Sequence, residues 1–286
     1  MKLTKNVYML ISLLVMISFT SCDDDTNAST DDEIGDTSNF IEIAIVHHIS
    51  RDDNGENAVT NTERIDLMMS YLNTNFNAWG IQFRTKQIEY LDHTEWNIQF
   101  VKQDDFIEQR VLEPFEDPNS LNIFYFNEIG NRINGVITGT LGATALFPDQ
   151  GNNVKLSVSA FATENTATLT HEIGHYFGLY HTSDDFTDAN GNLEFVNGSN
   201  CETAGDFICD TPASPDLNDS NINEPTCNYI GTETDSNGDL YMPDTFNFMT
   251  QWAGTDTNGL LCRRRFSNGQ VEKMIDVLNT ERSYLQ

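Results

Sequence analysis

The chain has 286 residues and carries 15 Lys and Arg against 44 Asp and Glu, which gives a net charge of −29. A surface this acidic repels nucleic acid and anionic membranes, so neither is expected as a partner. Hydrophobic residues make up 38% of the sequence, and 18 of them are Phe, which is enough for the core of one folded domain.

The N-terminal residues have the pattern of an export signal. Two lysines precede an apolar run over residues 7–19, which is too short for a comfortable membrane span. A Thr-Ser pair then leads to Cys22, and this arrangement resembles a bacterial lipoprotein signal. The resemblance implies a signal peptide over residues 1–21 and lipidation of Cys22 as a membrane anchor. An ordinary secretory signal, which would release the protein, is the alternative.

Residues 22–39 are predicted to form a disordered acidic tether, because Asp, Ser, Thr and Asn dominate and apolar residues are almost absent. The three aspartates that follow Cys22 resemble an export tag for the outer face of Gram-negative bacteria. The expected location is therefore the outer membrane or the cell surface. A globular domain is predicted over residues 40–286.

The first part of this domain has the periodicity of strands around one helix. Apolar residues recur at helical spacing from Ile65 to Phe76, and Gly80 ends the run. His47 and His48 lie within the first strand, where packing or hydrogen bonding is expected rather than metal binding. Strands are predicted over residues 41–49, 81–83, 96–100 and 121–126.

Glycines recur between residues 130 and 142, and a short apolar run follows. Pro148 closes this run and restricts it to the edge or end of a sheet. Residues 154–161 are predicted as one more strand, and the next helix begins near Asn165. The order of elements predicts an α/β arrangement, with a mixed twisted sheet and a backing helix.

A metal-binding motif begins at His171 and reads H-E-x-x-H-x-x-G-x-x-H. Residues four apart share a helix face, so His171 and His175 can point two imidazoles at one ion. Gly178 can adopt a left-handed conformation that ends the helix and lets His181 supply a third nitrogen. Three neutral imidazoles leave one position of a tetrahedral zinc open for water. Glu172 can reach that water.

The region after this motif has little regular pattern. Asp, Asn, Gly, Ser, Thr and Pro dominate residues 182–245, and an amphipathic helix is predicted from Ser267 onward. Apart from Cys22 there are four cysteines, and an even number in an exported chain favours two disulfides. Their spacing leaves all three pairings open. The four are Cys201, Cys209, Cys227 and Cys262.

The zinc motif resembles that of the metzincin clan of zinc endopeptidases, whose members carry a methionine-containing turn below the zinc. Residues 245–250 resemble this turn, in which Met249 is a packing support and not a ligand. Residues 205–212 resemble the G-D-x-x-x-D-T-P segment of the pappalysin family, and residues 266–270 resemble the start of its last helix. The resemblance implies a metzincin-like fold, with lobes at about 40–178 and 179–286.

Two further expectations rest on this resemblance alone. It implies calcium at residues 206–211, although a plain turn is the alternative, and it implies an interleaved disulfide pairing. Hard oxygen donors suited to calcium are Asp206, Asp210 and Thr211. The implied disulfides are Cys201–Cys227 and Cys209–Cys262.

One residue departs from the resemblance. Many related enzymes have a tyrosine two residues after the turn methionine, where it can touch the zinc or the oxyanion, but this chain has Gln251. An amide can still donate a hydrogen bond. Asp256, in the segment that follows, either favours a basic side chain after the scissile bond or is an exposed loop aspartate.

The expected activity is hydrolysis of peptide bonds in a protein or peptide substrate, with zinc-activated water and Glu172 as general base. An extended substrate is predicted to add a strand to an edge segment of the sheet. That segment consists of Ala143, Thr144, Ala145, Leu146 and Phe147. The alternatives are a non-catalytic zinc-containing surface lipoprotein, which Gln251 favours, and a zinc hydrolase of a non-peptide amide or ester.

Overall fold

A computed structural model describes residues 40–102, 110–133, 136–161 and 167–286. The predicted signal peptide, Cys22 and the acidic tether lie outside the described residues. In the part of the chain that is described, no helix has the length and apolar character needed to cross a membrane.

Within the described residues, ten strands and five α-helices have defined bounds. The strands are β1 (Ile41–Arg51), β2 (Ile81–Asp92), β3 (Phe100–Lys102), β4 (Leu121–Phe126), β5 (Ile129–Ile133), β6 (Val136–Leu141), β7 (Ala143–Ala145), β8 (Asn153–Ser157), β9 (Ile222–Asn223) and β10 (Asn228–Tyr229). The helices are α1 (Thr62–Phe76), α2 (Thr94–Ile98), α3 (Val158–Phe161), α4 (Ala167–Tyr176) and α5 (Asn268–Asn279). Short 3-10 turns occupy Asn77–Trp79, Glu113–Phe115, Glu224–Thr226 and Ser283–Leu285.

The main sheet has five strands in the order β2-β1-β4-β8-β7. The first four are parallel, and β7 at the edge is antiparallel to β8. The central strand β4 is buried at every position, as expected for a parallel strand covered on both faces. The predicted α/β fold, a mixed sheet with helices, is therefore confirmed.

A hydrophobic core joins the sheet to the helices that flank it. Apolar residues of α1 pack with those of β1, β4, α4 and α5 in one cluster, in which Ile123 and Phe76 are fully buried. His47 and His48 lie in this sheet as the sequence predicted. His47 Nδ1 is 2.8 Å from Tyr125 Oη, and His48 Nε2 is 3.0 Å from Asn122 Oδ1.

Two segments differ from their predicted structure. Residues 96–100 are not a strand, because α2 occupies Thr94–Ile98 and only Phe100 begins β3. His93 caps this helix, since its Nδ1 accepts from Trp96 N at 3.3 Å and its ring stacks on Trp96. The strand predicted over residues 154–161 ends at Ser157 and continues as α3. The glycine-spaced stretch contributes β5 and β6, which pair as antiparallel strands.

The implied disulfide pairing is wrong. The structure joins Cys201 to Cys209, with a Cα–Cα distance of 5.0 Å, and Cys227 to Cys262, at 5.7 Å. Turns explain the first disulfide, because successive turns between residues 198 and 211 fold that segment back on itself. The second closes a loop of 35 residues and lies in a small core with Trp252 and Ile222.

The last helix begins where the sequence predicted. Ser267 and Gln270 form a reciprocal capping box at its start, with Gln270 N donating to Ser267 Oγ at 3.1 Å. Asp210 also accepts hydrogen bonds there, from Ser267 Oγ at 2.7 Å and Gly269 N at 2.8 Å. The irregular region is thus attached to the start of α5.

Candidate active site

Helix α4 carries the first two histidines of the motif on one buried face. His171 and His175 are 6% and 8% exposed. Gly178 has φ of 82°, the left-handed conformation that the sequence predicted. Its N–H donates to the carbonyl of His175 at 2.8 Å, while Leu179 N donates to Gly174 O at 2.9 Å. This closed turn reverses the chain and brings His181 back to the other two histidines.

The three imidazoles converge on one point through the same ring nitrogen. His175 Nε2 lies 3.1 Å from His171 Nε2 and 3.1 Å from His181 Nε2. Each Nδ1 faces an oxygen: His171 contacts Phe248 O at 2.6 Å, His175 contacts Leu179 O at 2.7 Å and His181 contacts Asp184 Oδ1 at 3.2 Å. Because these oxygens accept hydrogen bonds from Nδ1–H, each ring keeps its proton on Nδ1 and directs the lone pair of Nε2 toward the other two rings.

This donor set fits a metal ion. Three lone pairs about 3 Å apart repel one another unless a cation lies among them. Burial lowers the pKa of His171 well below its usual value and that of His175 to about 4, so both rings are neutral near pH 7. Within the described part of the chain, this trio is the group of His, Cys, Asp and Glu side chains that converges closely enough to hold a metal.

Met249 packs against α4 at Gly174, which lies between His171 and His175 in the chain. It is fully buried, and its carbonyl accepts from Thr182 N at 3.1 Å. A Cβ added to Gly174 would overlap Met249 Sδ, so only glycine fits at this position of α4. The sequence analysis missed Gly174 because it occupies a variable position of the motif. A glycine in mid-helix, where it is unfavourable, was the available signal.

The turn that holds Met249 is tied to the last helix by two buried amides. Asn247 Nδ2 donates to Gln270 Oε1 at 2.9 Å, and Gln270 Nε2 donates to Asn247 Oδ1 at 3.1 Å. Asn247 Oδ1 also accepts from Met249 N at 2.8 Å. Gln270, which also belongs to the capping box of α5, therefore holds the turn that carries Met249.

A cleft of about 770 Å³ runs over the three histidines. Glu172 lines it and lies next to His171 in the chain. The edge strand β7 forms one wall, and Phe147, Tyr180 and Phe186 form an aromatic end. Ala143, Thr144, Ala145 and Phe147 of the predicted substrate segment line the cleft, whereas Leu146 is 1% exposed and packs inward.

Gln251 contacts a histidine rather than the open cleft. Its Nε2 lies 3.2 Å from His181 Nδ1, which is also 3.2 Å from Asp184 Oδ1. Asp184 additionally accepts from His181 N at 3.0 Å. Asp184 thus orients the third histidine, a role that the sequence analysis missed because one aspartate among many in residues 182–245 carried no pattern.

The residues predicted to bind calcium make two separate sets of contacts. Asp206 is 3% exposed, and each of its oxygens lies 2.8 Å from Thr211 Oγ1. Asp210 instead uses both oxygens to cap α5. Glu194, a buried carboxylate that the sequence analysis missed, lies near enough to Asp206 for their charges to interact. Burial and then the charge of Asp206 raise the pKa of Glu194 to about 8, and burial raises that of Asp206 to about 6.

Comparison with known proteins identifies the family. The profile of the family described as pregnancy-associated plasma protein-A, a family of peptidases, matches residues 118–279, which is more than half of the chain. The chain belongs to this family. The pappalysin-like assignment and the zinc metallopeptidase activity expected from the sequence are thereby confirmed.

Relatives of this peptidase include fungal proteins named extracellular metalloproteases. One from Colletotrichum graminicola is 25% identical over 72% of this chain and 75% of its own length. Another from Arthroderma benhamiae is 24% identical over 77% of this chain and 67% of its own. Among solved structures, metalloproteinase-II from Bacteroides fragilis is 13% identical and covers 50% of this chain and 44% of its own, with a TM-score of 0.31.

Proposed function

We propose that the chain is an exported zinc endopeptidase whose zinc ligands are His171, His175 and His181. The convergence of three Nε2 atoms, each on a ring whose Nδ1 faces an oxygen, carries this proposal. This arrangement fixes both the protonation and the direction of the rings. A zinc ion bound there would supply Lewis acidity and lower the pKa of a bound water.

Glu172 is proposed as the general base and acid. Its place beside His171 in the cleft lets its carboxylate take the proton of the attacking water and then pass it to the leaving amine. Met249 and Gly174 hold α4 against the floor of the site, and Asp184 and the carbonyls of Phe248 and Leu179 keep the three rings oriented.

An extended peptide is the proposed substrate, paired with β7. This strand lies at the edge of the main sheet, contacts β8 on one side and lines the cleft. Backbone pairing gives affinity without sequence choice. Replacing Ala145 by proline removes a backbone donor from β7, so KM should rise in a folded variant. Unchanged kinetics would contradict this mode of binding.

The decisive experiment combines metal analysis with digestion of casein. We expect one zinc per chain and cleavage by the wild-type protein. Glu172→Gln should keep its zinc and lose about 10²- to 10⁴-fold in kcat/KM, because proton transfer is lost. Glu202→Gln, which changes an exposed carboxylate, is the matched control and should cleave normally.

The two alternative functions give different results. A zinc-containing binding protein would hold zinc and leave every peptide intact. A hydrolase of non-peptide substrates would spare casein and cleave amide or ester probes through Glu172. If Glu172→Gln cleaves as fast as the wild type, the proposed base is wrong.

Calcium is proposed as a second ion, held by Asp206 with Glu194. Both carboxylates are buried and the charge of Asp206 acts on Glu194, so a divalent cation between them would remove their mutual repulsion. Thr211 offers a hydroxyl oxygen nearby, whereas Asp210 is committed to α5. Calorimetric titration with Ca²⁺ should show one site that Glu194→Gln weakens and Glu202→Gln leaves unchanged. Equal binding by both variants would contradict it.

The protein is also proposed to be exported and anchored to a membrane. The names of the fungal relatives support an extracellular location. We propose a signal at residues 1–21, a lipidated Cys22, a tether over residues 22–39 and a catalytic domain over residues 40–286, in an outer-membrane or surface lipoprotein. Metabolic labelling with a fatty acid should mark the wild type and not Cys22→Ser. Label on neither protein would favour a freely secreted enzyme.

A further inference from the structure

Three consecutive arginines follow Cys262, although the whole chain has only 15 Lys and Arg. The second and third have ordinary surface roles. Arg264 stacks over the ring of Phe246 at 4.3 Å, and Arg265 forms an ion pair with Asp244 at 2.7 Å. The first differs from both, because Arg263 is only 7% exposed. A buried guanidinium in so acidic a protein requires an explanation.

Arg263 is held in place by two carbonyls of the segment that follows Met249. Its Nε donates to Trp252 O at 3.1 Å, and its Nη2 donates to Gln251 O. Its Nη1 makes no hydrogen bond with the described residues and is accessible to solvent. No carboxylate in the described part of the chain forms an ion pair with Arg263. Arg263 is therefore a cation fixed in place whose Nη1 can still donate a hydrogen bond.

A small cavity of about 200 Å³ lies against this side chain. Its lining is Asn75, Ala167, Phe248, Leu260, Leu261, Arg263 and Arg264. The cavity adjoins the histidines, because the carbonyl of Phe248 contacts His171 Nδ1 at 2.6 Å. The charges of Arg263 and Glu172 also influence each other. The cavity has apolar walls, one buried guanidinium, and room for a single side chain.

The position of Glu172 indicates which substrate residue would reach this cavity. The general acid protonates the leaving amine, so the residue that begins with that amine lies on the Glu172 side of the metal site. The cavity touches Ala167 at the start of α4. The aromatic end of the cleft, with Tyr180 and Phe186, lies beyond the other end of that helix. The cavity and the aromatic residues thus flank the metal site on opposite sides.

We propose that this cavity receives the side chain that follows the scissile bond, and that Arg263 selects an acidic side chain, Asp or Glu, at that position. The proposal rests on the endopeptidase function proposed above. A carboxylate entering the cavity would form a charge-assisted hydrogen bond with Arg263. Asp256 does not line this cavity, and its Oδ1 accepts from Asn258 N and Leu260 N within its own turn.

The test uses peptides that differ only in the residue after the cleaved bond, which is Glu, Gln, Leu or Lys. We expect kcat/KM for Glu to exceed that for Gln by about 10- to 100-fold, which is the range of a hydrogen bond to a charged group. Lys should be the poorest of the four. A ratio of Glu to Gln near or below one, in an enzyme that cleaves these peptides, would overturn the proposal and leave Arg263 a structural clamp.

Variants of Arg263 and Arg265 test whether Arg263 causes the preference for Glu over Gln. Arg263→Gln should bring the ratio of Glu to Gln close to one, and Arg263→Lys should restore part of it. Arg265→Gln, whose side chain does not line the cavity, is the matched control and should keep the wild-type ratio. This ratio does not depend on the fraction of folded enzyme, so a partly unstable variant still gives an answer. An unchanged ratio in Arg263→Gln would contradict the assignment.

A binding measurement separates this proposal from the endopeptidase function. Short peptides with N-terminal Glu or Gln mimic the product that occupies the cavity, and calorimetry with the wild-type protein requires no turnover. We expect the Glu peptide to bind about 10-fold or more tightly than the Gln peptide. If no peptide or casein is cleaved but the Glu peptide still binds more tightly, the endopeptidase function fails and the acidic subsite stands. Equal binding would overturn the subsite.

Discussion

Different interactions stabilise the main sheet and the irregular region that follows His181. The sheet depends on apolar burial: β1 and β4 fill the core with Ile, Val and Phe side chains. The region over residues 182–266 has two two-residue strands, and it is ordered by turns, side-chain hydrogen bonds and two disulfides. Both contribute to the active site, but they should respond differently to mutation and to pH.

The largest expected effect concerns the disulfide between Cys227 and Cys262, which closes a loop of 35 residues. Replacing both by serine should destabilise the protein by about 4 kcal/mol, because the unfolded chain gains loop entropy. The Cys201–Cys209 pair, with a separation of 8, should cost about 2.5 kcal/mol. Urea unfolding gives both values. In both variants, backbone amides of the irregular region should lose protection from hydrogen exchange before those of the sheet. Equal loss in the two regions would contradict the difference between them.

Truncation of the sheet core is the complementary test. Ile123 in β4 is fully buried, so Ile123→Ala should cost about 3 kcal/mol through lost burial and a cavity. Val136 in β6 is 64% exposed, and Val136→Ala should change stability by less than about 0.5 kcal/mol. Thermal unfolding of both variants measures the difference. Similar costs for the two would argue against burial as the source of stability in the sheet.

The two regions should respond to pH in opposite directions. Burial lowers the pKa of His47 to about 3, so its contribution is full above about pH 6.5 and is lost as pH falls. The loss should reach about 2 kcal/mol by pH 5. The pKa of Glu194 is raised to about 8, so its contribution is full below about pH 4.5 and is lost as pH rises.

Two variants separate these contributions. His47→Gln should reduce the loss of stability between pH 6.5 and pH 5, and Glu194→Gln should reduce the loss between pH 5 and pH 8 in the absence of calcium. Urea unfolding across this range measures both. If either variant follows the wild-type profile throughout, the corresponding group is not the source of the pH dependence.

The smallest expected effect tests how the irregular region is joined to the last helix. Asp210 accepts from Ser267 Oγ and Gly269 N, so Asp210→Ala should cost about 1 kcal/mol as a lost helix cap. Calcium binding should stay unchanged. A variant with normal stability and weaker calcium binding would reverse this assignment and restore the role that the sequence suggested.

The sequence predicted the elements whose signals are local. The spacing of His171, His175 and His181 and the glycine turn at Gly178 follow from helix geometry, and runs of apolar residues predicted β1 and β4. Cysteine pairing could not be predicted, because it depends on turns that bring Cys201 back to Cys209. Contacts between distant residues, such as Gly174 with Met249 and Asn247 with Gln270, likewise required the folded chain.

Arg282 brings together parts of the cleft that are far apart in sequence. Its buried guanidinium donates to the carbonyls of Tyr176, Leu146 and Gly151, at 2.7, 3.1 and 3.0 Å, and thereby joins the end of α4 to the loop between β7 and β8. Those segments cannot be locked together until residue 282 has left the ribosome and docked. A nascent chain that has made all three histidines still lacks the three hydrogen bonds that join this wall of the cleft to α4.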